Sequence, residues 1–182
     1  MNILMIGAHP DDCEVFGGGT AALLNQRGHQ VKFISTTNGD AGHHELSGEA
    51  LVSRRSVETI GASRILGVSY EIFDNHDGQL EPDLTNRNLI IQRIREWEAD
   101  VVITHRPNDY HPDHRYTSQM VQDAAYMVMV PNVVAGTPPL RKNPLFLYFQ
   151  DHFQKPYPFQ PHIVLDIDDT YEAKMNALHA HD

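Results

Sequence analysis

His9, Asp11, Asp12 and Glu14 crowd into GAHPDDCEVFGGG, residues 7–19, directly after an apolar run. A second group, Asp109, His111, Asp113 and His114, fills DYHPDH at 109–114, again just beyond an apolar run. A turn leaving a strand brings side chains three residues apart to one side, so His9 and Asp12 can address a common centre. His114 reaches that centre from the second group, at the start of a helix. Two imidazoles and a carboxylate make a three-ligand zinc set that leaves a position for water, and iron or manganese accepts the same donors. Asp11 projects differently from its neighbour and suits an outer carboxylate that takes a proton from metal-bound water while the metal polarises a carbonyl. Side by side, the Asp11 and Asp12 carboxylates repel, a cost that a cation relieves. The competing account of each group is a polar turn with a helix cap. That account is stronger for either group alone and level with the metal reading for the two together.

Other chemistries fit less well. The glycines at 17–19 follow no G-x-G-x-x-G pattern, and acids occupy the turn where a pyrophosphate requires free amides. No Gly-Lys-Ser/Thr follows, so a phosphate cradle is also absent. Gly17, Gly18 and Gly19 are expected to let the first helix pack closely on the sheet. Cys13 sits among acids that discourage its thiolate and reads as a small buried residue behind the site.

Composition narrows the partners. The chain has 182 residues with 14 Lys plus Arg against 24 Asp plus Glu, a formal net charge of -10. This balance argues against nucleic acid or an anionic membrane as the main partner. A single cysteine precludes an intrachain disulfide and points to a reducing compartment. The opening apolar run is too short for a signal peptide or a span, and a cytoplasmic location is expected. The length suits one domain, 1–182.

Elements must hold the two groups together. Apolar runs at 2–8, 30–36, 69–73, 100–105, 145–149 and 162–167 read as strands. Helices are expected over 17–27, 49–66, 86–98, 114–129 and from about Asp169, as N-cap, to the end. Strict alternation predicts an α/β, Rossmann-like, mostly parallel sheet with helices on both faces. Such sheets bind ligands beyond the carboxyl ends of their strands, so both groups should open onto one edge. Loops at 38–48, 74–83 and 130–143 would carry specificity.

AHPDDCE near the N-terminus, SRRSVETIGASRILG at 53–67 and HPDH at 111–114 resemble the zinc-dependent N-deacetylase family of LmbE-like or PIG-L-like proteins. Its members include de-N-acetylases of N-acetylglucosaminyl-phosphatidylinositol and of mycothiol and bacillithiol precursors. The resemblance spans nearly the whole chain and implies the three-layer fold of that family. It implies zinc on His9, Asp12 and His114, with Fe2+ or another divalent ion as alternatives, and Asp11 as general base. It implies that His111 stabilises the oxyanion or protonates the leaving amine, and that Asp113 pairs with a histidine and holds its charge, an imidazolium at His111 fitting both tasks. Arg55 matches an arginine placed beside substrate, and Arg54 is its solvated neighbour.

Asn38, Gly39, Asp40 and Gly42 resemble a second active-site loop, which makes Asp40 a candidate substrate contact. A tyrosine two residues before the first histidine of HPDH is replaced here by Asp109, with Tyr110 adjacent; both are candidate substrate contacts. The stretch ALHAHD, in which His181 matches a family histidine, continues in relatives with a Ser-Gln pair. That leaves a compact member or a shortened chain as alternatives. The implied reaction is attack of zinc-bound water on the acetamide of an amino-sugar-like small molecule, giving acetate and a primary amine. A hydrolase of another amide and a catalytically lapsed metal- or sugar-binding protein are the alternatives; a homo-oligomer is left open.

Overall fold

The computed structural model describes residues 1–181. Five short runs dominated by Val, Ile, Leu and Phe form strands β1 Asn2–Gly7, β2 Gln30–Ser35, β3 Ser69–Ile72, β4 Val101–Thr104 and β5 Leu145–Tyr148. They lie in the order β3-β2-β1-β4-β5, and every pairing is parallel. Five helices, α1 Asp12–Gln26, α2 Gly48–Leu66, α3 Leu84–Glu96, α4 Pro112–Met127 and α5 Tyr171–Leu178, cover the sheet.

Strand side chains alternate between faces with period two, and β1 divides the core accordingly. Leu4 and Ile6 pack with Ile90, Ile91 and Ile94 of α3 and Met120, Val121 and Ala124 of α4. Ile3 and Met5 pack with Ala21 and Ala22 of α1, Ala62 and Leu66 of α2, and Ala177 of α5. The result is the expected three-layer α/β fold. Strand order reverses between β1 and β4, whose register pairs Ile6 with Thr104, so the segments leaving these two strands diverge to opposite faces from one crevice.

Several boundaries depart from the sequence reading. Helix α1 begins at Asp12, not Gly17, because the amides of Asp11 and Asp12 close onto the His9 carbonyl at 2.9 and 3.2 Å. The three glycines therefore lie inside the helix. A Cβ on Gly17 would stand 2.7 Å from Met5 Sδ of β1, but one on Gly19 would stand 2.6 Å from Ile167 Cδ1, and one on Gly18 3.4 Å from Lys174 Cγ. Close packing on the sheet thus holds for Gly17 alone, and the other two seat the C-terminal segment. Helix α4 starts at Pro112, with His111 as its N-cap. Residues 162–167 form no strand: they run outside the sheet, with Ile167 against Gly19 of α1, and Val164 is 80% exposed. Asp169 lies within a 3₁₀ turn, Asp168–Thr170, so Thr170 precedes α5; its hydroxyl donates to the Gly19 carbonyl at 2.8 Å.

Arg95, at the end of α3, is 3% exposed and donates to six carbonyls. These are Met127 (2.9 Å), Val128 (3.0 Å), Val130 (2.8 Å), Val133 (2.7 Å), Val134 (3.0 Å) and Thr137 (2.9 Å). The end of α4 would otherwise leave its last carbonyls without donors. Arg95→Met should reduce unfolding free energy by about 3 kcal/mol, because several buried acceptors lose their partner at once. Urea unfolding followed by circular dichroism measures this, and a loss below about 1 kcal/mol would mean that water replaces the guanidinium.

Candidate active site

The turn after β1 folds back on itself. Asp12 Oδ2 accepts the amides of Ala8 (2.9 Å) and His9 (2.7 Å), which brings the first residue pair of α1 over the strand end. Gly7 allows this approach, since a Cβ there would stand 2.7 Å from Asp12 Cβ. His114 comes from the first turn of α4, which follows the neighbouring strand β4. The structure therefore brings His9, Asp12 and His114 together, although more than a hundred positions separate them.

His9 Nδ1 lies 3.3 Å from His114 Nε2 and 3.3 Å from Asp12 Oδ2. His114 Nε2 lies 3.4 Å from Asp12 Oδ1. A tetrahedral ion with bonds of about 2.0–2.1 Å has edges of about 3.3–3.4 Å; the His9–His114 nitrogen pair matches one such edge, and each ring stands at a similar distance from a different oxygen of Asp12. The outer nitrogens explain why the inner ones face each other. His9 Nε2 meets Asp77 Oδ1 at 3.1 Å and Asp113 Oδ2 at 3.2 Å, and His114 Nδ1 lies 3.1 Å from Asp109 Oδ1. Carboxylates draw the N–H outward, so lone pairs point inward, as a metal-bound imidazole requires. Three overlapping donor sets converge here: His9, His111 and His114; Asp12, His105 and His114; and His9, Asp77 and Asp113.

Charge supports the same account. Burial opposes protonation of His9, but hydrogen bonds to Asp113, Asp12 and Asp77 push its pKa up to about 12. Burial likewise opposes protonation of His114, yet Asp109 and Asp12 push it up to about 9. The carboxylates call for positive charge here, and a divalent cation supplies it by displacing those protons. Asp11 has no such partner. Burial and the charge of Asp12 raise it to about 6, against the pull of Arg55, His9 and His181.

The pocket above these groups, about 350 Å³, is lined by Asp11, Val15, Gly39, Arg55, Asp77 and Tyr110 together with the converging histidines. Arg55 faces it with Nη1 3.1 Å from Glu58 Oε2, whereas Arg54 binds the other oxygen of Glu58 at 2.7 Å. Tyr110, 64% exposed, stands at the mouth. Two expected substrate contacts lie elsewhere. Asp40 is engaged by His76 Nδ1 (2.6 Å) and the Asp77 amide (2.9 Å), which bind the loop at 38–48 to the loop at 74–83. Asp109 is buried under His114 and also accepts the His111 amide at 3.0 Å.

Asp113 is placed differently from its expected role too. Its carboxylate contacts His9 and accepts the Gly78 amide at 2.7 Å, while only its backbone N–H meets His111, donating to Nδ1 at 3.2 Å. An imidazolium at His111 held by Asp113 therefore does not describe the geometry. Burial, His9 and His114 all lower the His111 pKa, and an accepting Nδ1 leaves Nε2 to carry the single proton. The loop at 130–143 supplies no lining residue; part of it closes on Arg95.

Sequence reasoning missed two residues. His105, directly after β4, is 2% exposed, lies 3.2 Å from Asp12 Oδ2 and stacks on His114 with ring centroids 3.9 Å apart. Its only signal was a histidine closing the run DVVITH, at the strand end where ligands gather. Asp77 sat in a loop noted for specificity, and no spacing tied it to His9. Cys13 lies where expected, fully buried behind the turn, and burial pushes its thiol up.

A parallel α/β sheet with a His/Asp donor cluster at its switch point is an architecture built for metal-assisted chemistry on a small ligand. The model of the PIG-L family, GlcNAc-PI de-N-acetylase, matches residues 4–125, and the chain belongs to this family. It is 30% identical over 191 residues to diacetylchitobiose deacetylase of Thermococcus kodakarensis, with 99% of this chain and 68% of the relative covered. The structure of N,N'-diacetylchitobiose deacetylase from Pyrococcus horikoshii superposes with a TM-score of 0.87 at 27% identity, covering 98% of this chain and 68% of the other. A 4-oxalmesaconate hydratase of Pseudomonas putida is 24% identical, with 96% of this chain and 70% of the relative covered. No helix among the described residues is long and apolar enough to cross a membrane.

Asp11 titrates near 3.8 when unperturbed and near 6 in the fold. Between these values the folded chain retains a proton that the unfolded chain releases, so stability falls as pH rises through this window. Asp11→Asn should therefore stabilise the metal-free protein by about 1–3 kcal/mol at pH 7, a gain that disappears below about pH 4. Unfolding midpoints across pH measure it; a gain that is independent of pH would assign the effect to packing.

Proposed function

We propose that this chain hydrolyses the acetamide of an N-acetylated amino sugar, releasing acetate and a primary amine. The observation that carries this reading is the convergence of His9, Asp12 and His114 at 3.3–3.4 Å beside Asp11 in one open pocket. These three residues would hold Zn2+, and the outer nitrogens of the two histidines already face the supporting carboxylates. When bound, a divalent cation polarises a carbonyl and acidifies water.

Asp11, with its raised pKa, accepts a proton from the attacking water and delivers it to the departing nitrogen. His111 presents its Nε2 proton to the oxygen that becomes negative during attack, while the Asp113 amide fixes the ring through Nδ1. Asp113 and Asp77 orient His9, and Asp109 orients His114. Arg55 and Tyr110 would hold the sugar. Asp11, Asp77 and one arginine line the rim, a balance that favours a neutral saccharide over a polyanion. The deacetylase relatives, named for diacetylchitobiose, support the same substrate class.

Purified protein should release amine from N-acetylglucosamine or diacetylchitobiose, lose that activity to a chelator and regain it with Zn2+. Asp11→Asn should retain zinc and lower kcat by about 10²–10⁴-fold, the usual contribution of a general base. Retained turnover in that variant would remove Asp11 from the reaction. Absence of amine release from every acetamide, with water addition to an unsaturated polycarboxylate instead, would replace the deacetylase reading with a hydratase one.

A further inference from the structure

His181 is far from the pocket in sequence, yet its side chain is only 7% exposed and sits between two carboxylates. Nε2 lies 3.2 Å from Glu14 Oε1, and Nδ1 lies 3.4 Å from Glu58 Oε2. Glu14 is fully buried. It lies one turn into α1 from Asp11, and its second oxygen accepts the Tyr70 hydroxyl at 3.4 Å. Glu58 Oε2 is also the atom that receives Arg55 Nη1 at 3.1 Å, so His181 and Arg55 share one oxygen.

The seat of this ring is built from small residues. Thr170 anchors the approach on Gly19, and a Cβ on Gly61 of α2 would stand 3.4 Å from Ala180 Cβ. Nε2 is hydrogen-bonded to Glu14, whereas Nδ1 has no hydrogen-bond partner among the described residues and meets Glu58 only as a charge contact at 3.4 Å. Burial disfavours the charged ring, but the hydrogen bond to Glu14 and the charges of Glu14, Asp11 and Glu58 raise its pKa. Glu14 lies beneath the turn that carries Asp11 and Asp12, and His181 and Tyr70 are the side chains that its two oxygens meet.

We propose that His181 is a positioning residue of the active site, tying Glu14 beneath the Asp11–Asp12 turn to Glu58, which holds Arg55. The ring fixes the separation between the base and the arginine facing the substrate, so the C-terminal segment is part of the catalytic apparatus. This inference rests on the deacetylase reading for its kinetic consequence and on geometry alone for the coupling.

His181→Leu should lower kcat/KM for the acetamide about 10–100-fold, as loss of an outer-shell partner does, with zinc content equal to the parent's. His181→Gln, which can still donate to one glutamate, should recover part of the loss, and His179→Gln, on the exposed neighbour, should match the parent. The double variant His181→Leu with Arg55→Met should lose less than the product of the single losses, because both act through Glu58. Co2+-substituted protein gives a readout free of turnover: the visible ligand-field band of His181→Leu should shift from the parent's as the turn relaxes. A His181→Leu enzyme within twofold of the parent and with an unchanged cobalt band overturns the proposal. So does a loss that only tracks lost zinc or folded protein, or that multiplies cleanly with Arg55→Met. A parent that cleaves no acetamide, with the cobalt shift intact, overturns the deacetylase reading and leaves the coupling standing.

Discussion

Carboxylates set behind imidazoles are the constraint on which the rest of this molecule depends. Asp77 and Asp113 behind His9, and Asp109 behind His114, decide which ring nitrogen carries hydrogen and therefore which one offers a lone pair. Without them, two nitrogens 3.3 Å apart would have no reason to face each other. Their combined negative charge makes the centre attractive to a cation and keeps the protonation of both rings in direct competition with it. The same arrangement isolates Asp11, the carboxyl group of the turn left without a donor, and that isolation suits it to moving a proton.

The scaffold translates this requirement into backbone. Adjacent parallel strands β1 and β4 deliver two turns to one crevice, and each turn begins a helix within a few residues. Short connections leave little freedom, so residues from 9–12 and 109–114 meet with a tolerance that long loops would not give. Apolar packing above and below the sheet holds the strands in register, while buried cations act where helices and loops end. Arg95 closes the far end of α4, and Arg106 pairs with Asp151 just past the ends of β4 and β5. Both keep a polar network satisfied in places where apolar contacts alone would leave acceptors stranded.

Much of this was legible in the residues. Continuous apolar strands and alternating helices indicated the sheet, and HPDD and HPDH indicated the two edges that meet. What stayed hidden depended on contacts across distance. The segment at 162–167 has the composition of a strand, but Ile167 packs against Gly19 of α1 instead of joining the sheet, a contact that no local pattern reports. Asp40, Asp109 and Asp113 were assigned to the right region and the wrong neighbour, because side-chain direction is set by turns whose hydrogen bonds are not visible in spacing. His105 meets Asp12, which arrives at the start of α1 from the turn after the adjacent strand, a pairing that no sequence spacing reports. The start of α1 differs from the sequence reading because glycine is a poor interior helix residue, and here the three glycines sit inside the helix to make room for neighbours.

The bond network around Asp40 has a further consequence. By gripping His76 and the Asp77 amide at once, it welds two rim segments into a single frame, one of which also orients His9 through Asp77. Lengthening or recolouring either segment to admit a new sugar would therefore tug on the ring beneath it. In this scaffold, diversification of what enters and preservation of what reacts are mechanically linked. Variants with altered selectivity should tend to arise as paired changes, one in each rim segment, rather than as solitary ones.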